Sequence, residues 1–367
     1  MSMSSLSNGI KTVFLATSAS ALCIGAAFAQ TPPLGGPGTI EPDGTVVVPA
    51  FRLPPSDYLS EAAKKALPRT PSDPEEPMMR AVAAGQAGAL RARMPQLMAP
   101  RIDALKQMYK VTTQDTVIAG IPAVRATPTG GVPQANRAKI LLNLPGGGFV
   151  MGAAPGTGMI ESIPLAGLAG VEIVSITYRQ APEHVYPAAT QDVLTVYRAL
   201  LKTHKPQDIA IFGCSTGGLL TAETIAALVR DKLPLPAAIG IFCASADARW
   251  GGDSRAFGRP FQALAQREDS RAYFKDIDLA DPLVSPIESP ATLAQFPPTL
   301  VITGTRAFEM SAAVNTHKEL VKAGVDADLH IWDGLGHAFF YDPALPESRE
   351  AFDVMARFFT RHLNLQR

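Results

Sequence analysis

The sequence lacks an excess of charge of either sign. Its 367 residues contain 33 Lys and Arg against 33 Asp and Glu, and charged residues make up only 18% of the chain. A neutral chain gives no electrostatic reason to expect binding to nucleic acid or to an anionic membrane surface. Because 47% of the residues are apolar, disorder is excluded as well. The length is compatible with two domains or with one large α/β sheet.

Cysteine is also scarce, and the sequence contains no internal repeat. Three cysteines cannot build a disulfide scaffold. Cys214 and Cys243 each lie in an apolar, strand-like run, whereas Cys23 lies in the N-terminal segment. A free cysteine in an apolar run behaves as a small buried hydrophobe. We therefore expect Cys214 and Cys243 to be free thiols, with a disulfide between them as the alternative in an oxidising compartment.

The first 29 residues are typical of a secretory signal peptide. Lys11 is the only charged residue before Glu41, an interrupted apolar stretch follows it, and small residues precede the predicted cleavage after Ala29. The sequence therefore predicts a periplasmic or secreted protein, and an uncleaved membrane anchor is the alternative. Residues 30–55, rich in proline and glycine, are predicted to form an extended leader.

The remaining chain changes pattern near residue 110. Residues 56–109 carry apolar residues at helical spacing and are predicted to form a helical cap, with helices over 81–94 and 97–108. Residues 110–367 alternate between apolar strand-like runs and helical stretches, which is typical of a mostly parallel sheet covered by helices on both faces. Strands are expected near residues 117–119, 121–124, 140–144, 171–176, 209–212, 238–242, 299–303 and 329–332. Helices are expected at residues 187–201 and 216–230, before Gly324, and at 348–363.

The sequence GCSTG at residues 213–217 fits the pattern G-x-S-x-G. It directly follows an apolar strand and opens a helix, which is the setting that this motif requires. A nucleophile at Ser215 would sit on a tight turn at the carboxyl edge of the sheet, where the helix N-terminus stabilises negative charge. A plain glycine turn is the alternative, but the strand–turn–helix setting favours Ser215 as a nucleophile.

A serine nucleophile needs a base, and the chain contains six histidines. A base that serves a serine on this kind of turn comes last in the chain, after the final strand. Only His337 lies in such a loop, between the last predicted strand and the closing helix. A solvated loop histidine is the alternative. Coupled to the serine motif, His337 is the predicted general base.

A glycine-rich loop, PGGGF at residues 145–149, follows another predicted strand. Consecutive glycines let backbone N–H groups turn toward an incoming carbonyl oxygen, and together with the amide of Thr216 they would form an oxyanion hole. A phosphate-binding loop is the alternative. However, no Lys-Ser or Lys-Thr follows the glycines and the G-x-G-x-x-G spacing is absent, so nucleotide binding is disfavoured.

In this order, the motifs resemble the hormone-sensitive-lipase-like branch of the α/β-hydrolase esterases, over residues 70–365. The resemblance implies an α/β-hydrolase fold with a mostly parallel eight-stranded sheet and an N-terminal helical cap. By position, it also implies oxyanion donors at Gly147, Gly148 and Thr216. The family's glycine motif begins with histidine, whereas Pro145 stands at that position here and cannot donate a hydrogen bond.

The resemblance fails at the triad acid. The family's aspartate lies shortly after the strand that ends here at Gly304, and this chain has Ala307 at its position. Glu309, two residues later, is the nearest carboxylate, and we hypothesise that it orients His337. A solvated Glu309 in the first helical turn is the alternative. Asp333 is a second candidate acid, poorly placed at the end of the last strand.

These residues predict a serine esterase that acts on small esters, with short acyl chains implied by the resemblance. Ser215 would attack the ester carbonyl and His337 would transfer the proton. No cofactor, metal, nucleic-acid partner or stable membrane insertion is expected, and a homodimer is left open. The alternatives are a catalytically impaired ligand-binding protein on the same fold, motivated by Pro145 and Ala307, and an amidase or lactonase that uses the same groups.

Overall fold

The structure, a computed structural model, describes residues 38–49, 51–67, 84–257 and 272–366. The chain divides into two units, residues 1–54 and 55–367. In the first unit, the described residues include a short antiparallel pair of strands, Thr39–Ile40 and Val46–Val47. The predicted signal peptide, residues 1–29, lies outside the described residues.

The second unit is built around an eight-stranded sheet. Its strands are β1 (Val111–Ile118), β2 (Ile121–Pro128), β3 (Ile140–Leu144), β4 (Glu172–Ile176), β5 (Ile209–Cys214), β6 (Ala238–Phe242), β7 (Thr299–Gly304) and β8 (Ala327–Trp332). Their spatial order is β8-β7-β6-β5-β3-β4-β2-β1. Strands β3 to β8 pair in parallel, whereas β2 pairs antiparallel with both β1 and β4. The prediction of a mostly parallel eight-stranded sheet is confirmed.

Helices cover both faces of this sheet. They are α1 (Glu61–Ala66), α2 (Ala87–Tyr109), α3 (Met159–Ala169), α4 (Ala188–Leu200), α5 (Thr216–Arg230), α6 (Ser254–Phe257), α7 (Pro290–Leu293), α8 (Met310–Lys322) and α9 (Pro346–Leu363). One hydrophobic core packs α4, α5 and α8 against the sheet, and the other packs α1, α2, α3 and α9. The central strands are fully buried between the two cores, which explains their near-continuous apolar sequences.

Short helices α6 and α7 were not predicted, and two of the longer described helices also differ from the prediction. Helix α2 is continuous where two helices were expected, although Pro95 and Pro100 lie inside it. Each proline removes one N–H donor, but Ile102 and Leu105 hold the second half of the helix in the core. Helix α3 was not predicted at all. Its residues are almost all buried, so its sequence has no polar face and therefore no helical periodicity to detect.

The predicted helical cap is only partly described, because residues 68–83, including the expected helix start at 72–76, lie outside the described residues. Arg91 of α2 donates hydrogen bonds to the carbonyl oxygens of Val150 at 2.7 Å and Ala181 at 3.0 Å. These bonds fix α2 against the segment that follows the glycine loop. Within the described residues, no helix combines the length and the apolar character needed to cross a bilayer.

Candidate active site

The predicted site residues come together at one edge of the sheet. The glycine loop follows β3, Ser215 follows β5, Glu309 lies beyond β7 and His337 lies beyond β8. Because these strands are parallel, their carboxyl ends meet at the same edge, where open α/β sheets bind their ligands. The topology therefore gathers residues that are far apart in sequence.

Ser215 lies on a strained turn between β5 and α5. Its backbone has φ 58° and ψ −129°, a left-handed conformation that is uncommon outside glycine and occurs at functional sites. The Ser215 N–H donates to the carbonyl oxygen of Phe242 at 2.8 Å, which anchors the turn to β6. At Gly217 a Cβ atom would overlap the Leu144 carbonyl, so only glycine lets β3 approach the turn this closely.

Ser215, His337 and Glu309 form a continuous hydrogen-bonded relay. The Ser215 Oγ lies 2.9 Å from His337 Nε2, and His337 Nδ1 lies 2.9 Å from Glu309 Oε2. The relay is satisfied when Nδ1 carries the proton and donates to the carboxylate, so that Nε2 accepts from the serine hydroxyl. The Phe308 ring lies 4.8 Å from the imidazole ring. The arrangement matches that of a base-activated serine.

Glu309 is buried, and its surroundings fix its orientation. The side chain is 0% exposed, and its Oε1 accepts a hydrogen bond from Thr303 Oγ1 at 3.2 Å. Glu309 forms the N-cap position of α8, where the helix dipole favours a negative charge. Asp333 instead accepts hydrogen bonds from Ser56 and Thr305. Of the two candidate acids, the structure thus brings Glu309 to His337.

The predicted oxyanion residues Gly147, Gly148 and Thr216 also lie together, but one amide is engaged differently from the expectation. The Gly147 N–H donates to Thr216 Oγ1 at 3.2 Å, and the Phe149 N–H donates to the same hydroxyl at 3.3 Å. The sequence prediction considered only the backbone amide of Thr216. Its side chain acts in addition as an acceptor that connects the glycine loop to the nucleophile turn.

The glycine loop is held by side chains from neighbouring segments, although Pro145 offers no side-chain donor of its own. Tyr178 donates to the Pro145 carbonyl oxygen at 2.6 Å, and Thr157 donates to the Gly146 carbonyl oxygen at 2.8 Å. The Gly146 N–H donates to Glu161 Oε1 at 3.2 Å. Three neighbours therefore brace the loop at the position where the related family carries a histidine.

Glu161 is a functional candidate that the sequence reasoning missed. It lies on α3, is 1% exposed, and also accepts hydrogen bonds from Asn143 Nδ2 at 2.7 Å and from the Tyr341 hydroxyl. Burial raises the pKa of this carboxyl to about 7. The sequence did contain a signal, because Glu161 is the single acid in the mainly apolar run at residues 159–169. A carboxyl group is buried in such a run only where polar groups compensate it, so a set of hydrogen-bond partners could have been expected.

Cys214 and Cys243 are both buried and free, as predicted. Among the described residues, Cys243, Glu309 and His337 form a group whose potential metal-ligating atoms lie within 4.8 Å of one another. The Cys243 Sγ accepts a hydrogen bond from the Ala338 N–H at 3.2 Å. Burial raises the pKa of the Cys243 thiol, which disfavours the thiolate that a metal ion would require.

Comparison with known proteins places these observations in a family context. A family model described as the α/β-hydrolase fold matches residues 141–341. An acetyl-hydrolase of Streptomyces hygroscopicus is 30% identical over 232 residues, which cover 62% of this chain and 77% of that protein. An esterase of Acinetobacter venetianus is 28% identical over 234 residues, covering 62% of this chain and 76% of that protein.

Solved structures give the same picture over more of the chain. Esterase E25 superposes with a TM-score of 0.71 and 31% identity, covering 87% of this chain and 98% of that structure. An esterase from the bacterial hormone-sensitive lipase family superposes with a TM-score of 0.64 and 27% identity, covering 71% of this chain and 89% of that structure.

We expect the substitution Glu309→Gln to slow the reaction of Ser215 with a fluorophosphonate by about 100-fold or more, because an amide cannot stabilise the imidazolium that forms on His337. The rate of covalent labelling measures this effect. Asp333→Asn, which changes the other candidate acid in the same way, serves as the control and should label at the wild-type rate. Equal labelling rates for wild type and Glu309→Gln would reject Glu309 as the orienting acid.

Glu161 should make stability fall as the pH rises. Its pKa is raised from 4.5 to about 7 in the folded protein, so its contribution is fully present below pH 4.5 and is lost as the pH rises through 7. The free energy of unfolding of wild type, relative to Glu161→Gln, should decrease by about 3 kcal/mol over that interval. Urea unfolding at pH 5, 6, 7 and 8 measures the difference, and a difference that does not change with pH contradicts the prediction.

Proposed function

The chain belongs to the α/β-hydrolase fold family, in its hormone-sensitive-lipase-like esterase branch, and we propose that it cleaves small carboxylic esters through an acyl-enzyme formed on Ser215. It is a carboxylesterase-type hydrolase, as are the relatives that it matches over about three quarters of their length. The observation that carries the proposed mechanism is the relay of two 2.9 Å contacts from Ser215 through His337 to Glu309.

In the first half of the reaction, the Ser215 Oγ attacks the ester carbonyl carbon while His337 Nε2 accepts the hydroxyl proton. The carbonyl π electrons move onto oxygen, and the oxyanion is stabilised by the N–H groups of Gly148 in the glycine loop and of Thr216. When the intermediate collapses, the bond to the alcohol oxygen breaks and Nε2 returns the proton to that oxygen. The alcohol leaves, and the acyl group remains on Ser215.

In the second half, water replaces the alcohol and the same groups act again. His337 Nε2 accepts a proton from the water as its oxygen attacks the acyl carbon, and then donates that proton to Ser215 Oγ as the acyl–oxygen bond breaks. Glu309 keeps its hydrogen bond to His337 Nδ1 throughout and stabilises the imidazolium. Its burial strengthens this interaction, because little water competes for the carboxylate.

The two departures from the family pattern do not argue against catalysis. Ala307 stands where the family has its acid, but Glu309, two residues later, hydrogen-bonds to His337 instead. Pro145 cannot donate a hydrogen bond, but Tyr178 and Gly146 connect the loop to its surroundings. These contacts support an active enzyme over the impaired ligand-binding protein. The name acetyl-hydrolase of the Streptomyces relative supports short acyl chains.

We expect Ser215→Ala to abolish hydrolysis of p-nitrophenyl acetate, with kcat falling by about 10⁴-fold or more, because the variant lacks the hydroxyl group that forms the acyl-enzyme. Initial rates of nitrophenol release measure the effect. The matched control is Ser162→Ala, which removes a buried hydroxyl from α3 and should keep the wild-type rate within about threefold. Equal rates for wild type and Ser215→Ala would refute the proposed nucleophile.

We also propose that the chain is exported and that its first 29 residues are removed. The basic residue Lys11, the apolar stretch after it and the small residues before Gln30 support this proposal. On expression of the full chain, we expect the mature protein to begin at Gln30, as measured by N-terminal sequencing of the extracellular or periplasmic fraction. A mature protein that still begins at the N-terminal methionine would contradict the proposal.

A further inference from the structure

The carboxylate of Glu161 hydrogen-bonds to two segments that each carry part of the site. Its Oε1 accepts from the N–H of Gly146 in the glycine loop at 3.2 Å. The hydroxyl of Tyr341, four residues beyond the base, donates to the same Oε1. One buried side chain thus joins the glycine loop to the segment that follows His337.

The third hydrogen bond anchors this carboxylate to the sheet. Asn143 of β3 donates through Nδ2 to Glu161 Oε2 at 2.7 Å, and Asn143 Oδ1 in turn accepts from Ser175 Oγ of β4 at 2.7 Å. Because Asn143 is buried and both ends of its amide are occupied, it cannot rotate freely. The position of Glu161 is therefore set by two strands rather than by the loops that it contacts.

We propose that Glu161 is a positioning residue that holds the glycine loop in register with Ser215 and His337, so that its amides meet the oxyanion. This inference rests on the proposed function, because it concerns the reaction at Ser215. Its physical basis is that an oxyanion hole works by being organised before the charge develops. Displacing the loop by about 1 Å is enough to lose most of that stabilisation.

Glu223 shows that burial alone does not produce such a set of contacts. It lies on α5, is 0% exposed, and burial raises its pKa well above the usual range, as it does for Glu161. However, its Oε2 accepts only from Thr190 at 3.1 Å, and its Oε1 has no hydrogen-bond partner among the described residues. Glu223 is therefore a matched control for the replacement of a buried carboxyl group.

The test compares Glu161→Met with Glu223→Met, since methionine has a similar length and no hydrogen-bonding oxygen. For p-nitrophenyl acetate, we expect Glu161→Met to lower kcat by about 10- to 100-fold, with KM within about threefold of wild type. The affinity for a trifluoromethyl ketone, which forms a tetrahedral adduct with the serine, should fall by the same factor. Glu223→Met should change neither quantity by more than about threefold.

The conservative variant Glu161→Gln keeps an acceptor for Gly146 and should recover most of the lost kcat. Equal losses in the two methionine variants, or an increase of KM without a change in kcat, would overturn the inference. If Glu161→Met does not fold, as judged by circular dichroism and its Tm, the variant Tyr341→Phe replaces it as the test of the inference. We expect its kcat to fall by about tenfold, and a wild-type kcat overturns the inference.

Failure of the proposed function gives a different result. If Ser215 is not the nucleophile, then wild type and Ser215→Ala hydrolyse the ester equally. If only the inference fails, wild type depends on Ser215 but Glu161→Met matches Glu223→Met. Fluorophosphonate labelling of the same variants tests the positioning of the loop without ester turnover, because the phosphonyl oxygen occupies the same oxyanion hole. Labelling slowed only by the Glu161 change supports the inference.

Discussion

The close approach of strands β3 and β5 at their carboxyl ends determines the geometry of the whole site. The nucleophile turn packs so tightly against the end of β3 that Gly217 has no room for a side chain beside the Leu144 carbonyl. Ser215, two residues earlier in the same turn, has a left-handed conformation. The packing also places Thr216 Oγ1 within hydrogen-bonding distance of the glycine loop. The serine turn and the glycine loop of the proposed site therefore both depend on one backbone contact.

The acid of the relay tolerates a shift along the chain because the requirement is spatial. Glu309 lies two residues beyond the position at which the family places its aspartate, in the turn that starts α8. The longer glutamate side chain still reaches His337 Nδ1 at 2.9 Å, and Thr303 at the end of β7 holds its other oxygen. These two hydrogen bonds fix the position of the Glu309 carboxylate beside His337.

The sequence predicted those parts of the fold that have a regular spacing of apolar residues or a motif at a fixed place along the chain. The buried strands, the turn at Ser215 and the loop at His337 each combine a local pattern with a fixed order along the chain. Helix α3 has no alternation of apolar and polar residues, since it is almost entirely buried. The contacts of Thr216 Oγ1 and of Glu161 could not be predicted from the sequence either. Each joins residues that are far apart in sequence, and only tertiary packing determines which groups they contact.

The two buried carboxylates at the site have opposite electrostatic effects on the reaction. In the proposed mechanism, the negative charge of Glu309 stabilises the imidazolium of His337 and so favours the transition state directly. The charge of Glu161 lies behind the oxyanion loop, where it disfavours a second negative charge nearby. Its hydrogen bonds with Asn143, Gly146 and Tyr341 oppose this effect. The three donors stabilise the negative charge on the carboxylate oxygens, which weakens the repulsion of the oxyanion. The same bonds fix the loop, so the organisation of the hole offsets the repulsion that a buried carboxylate introduces.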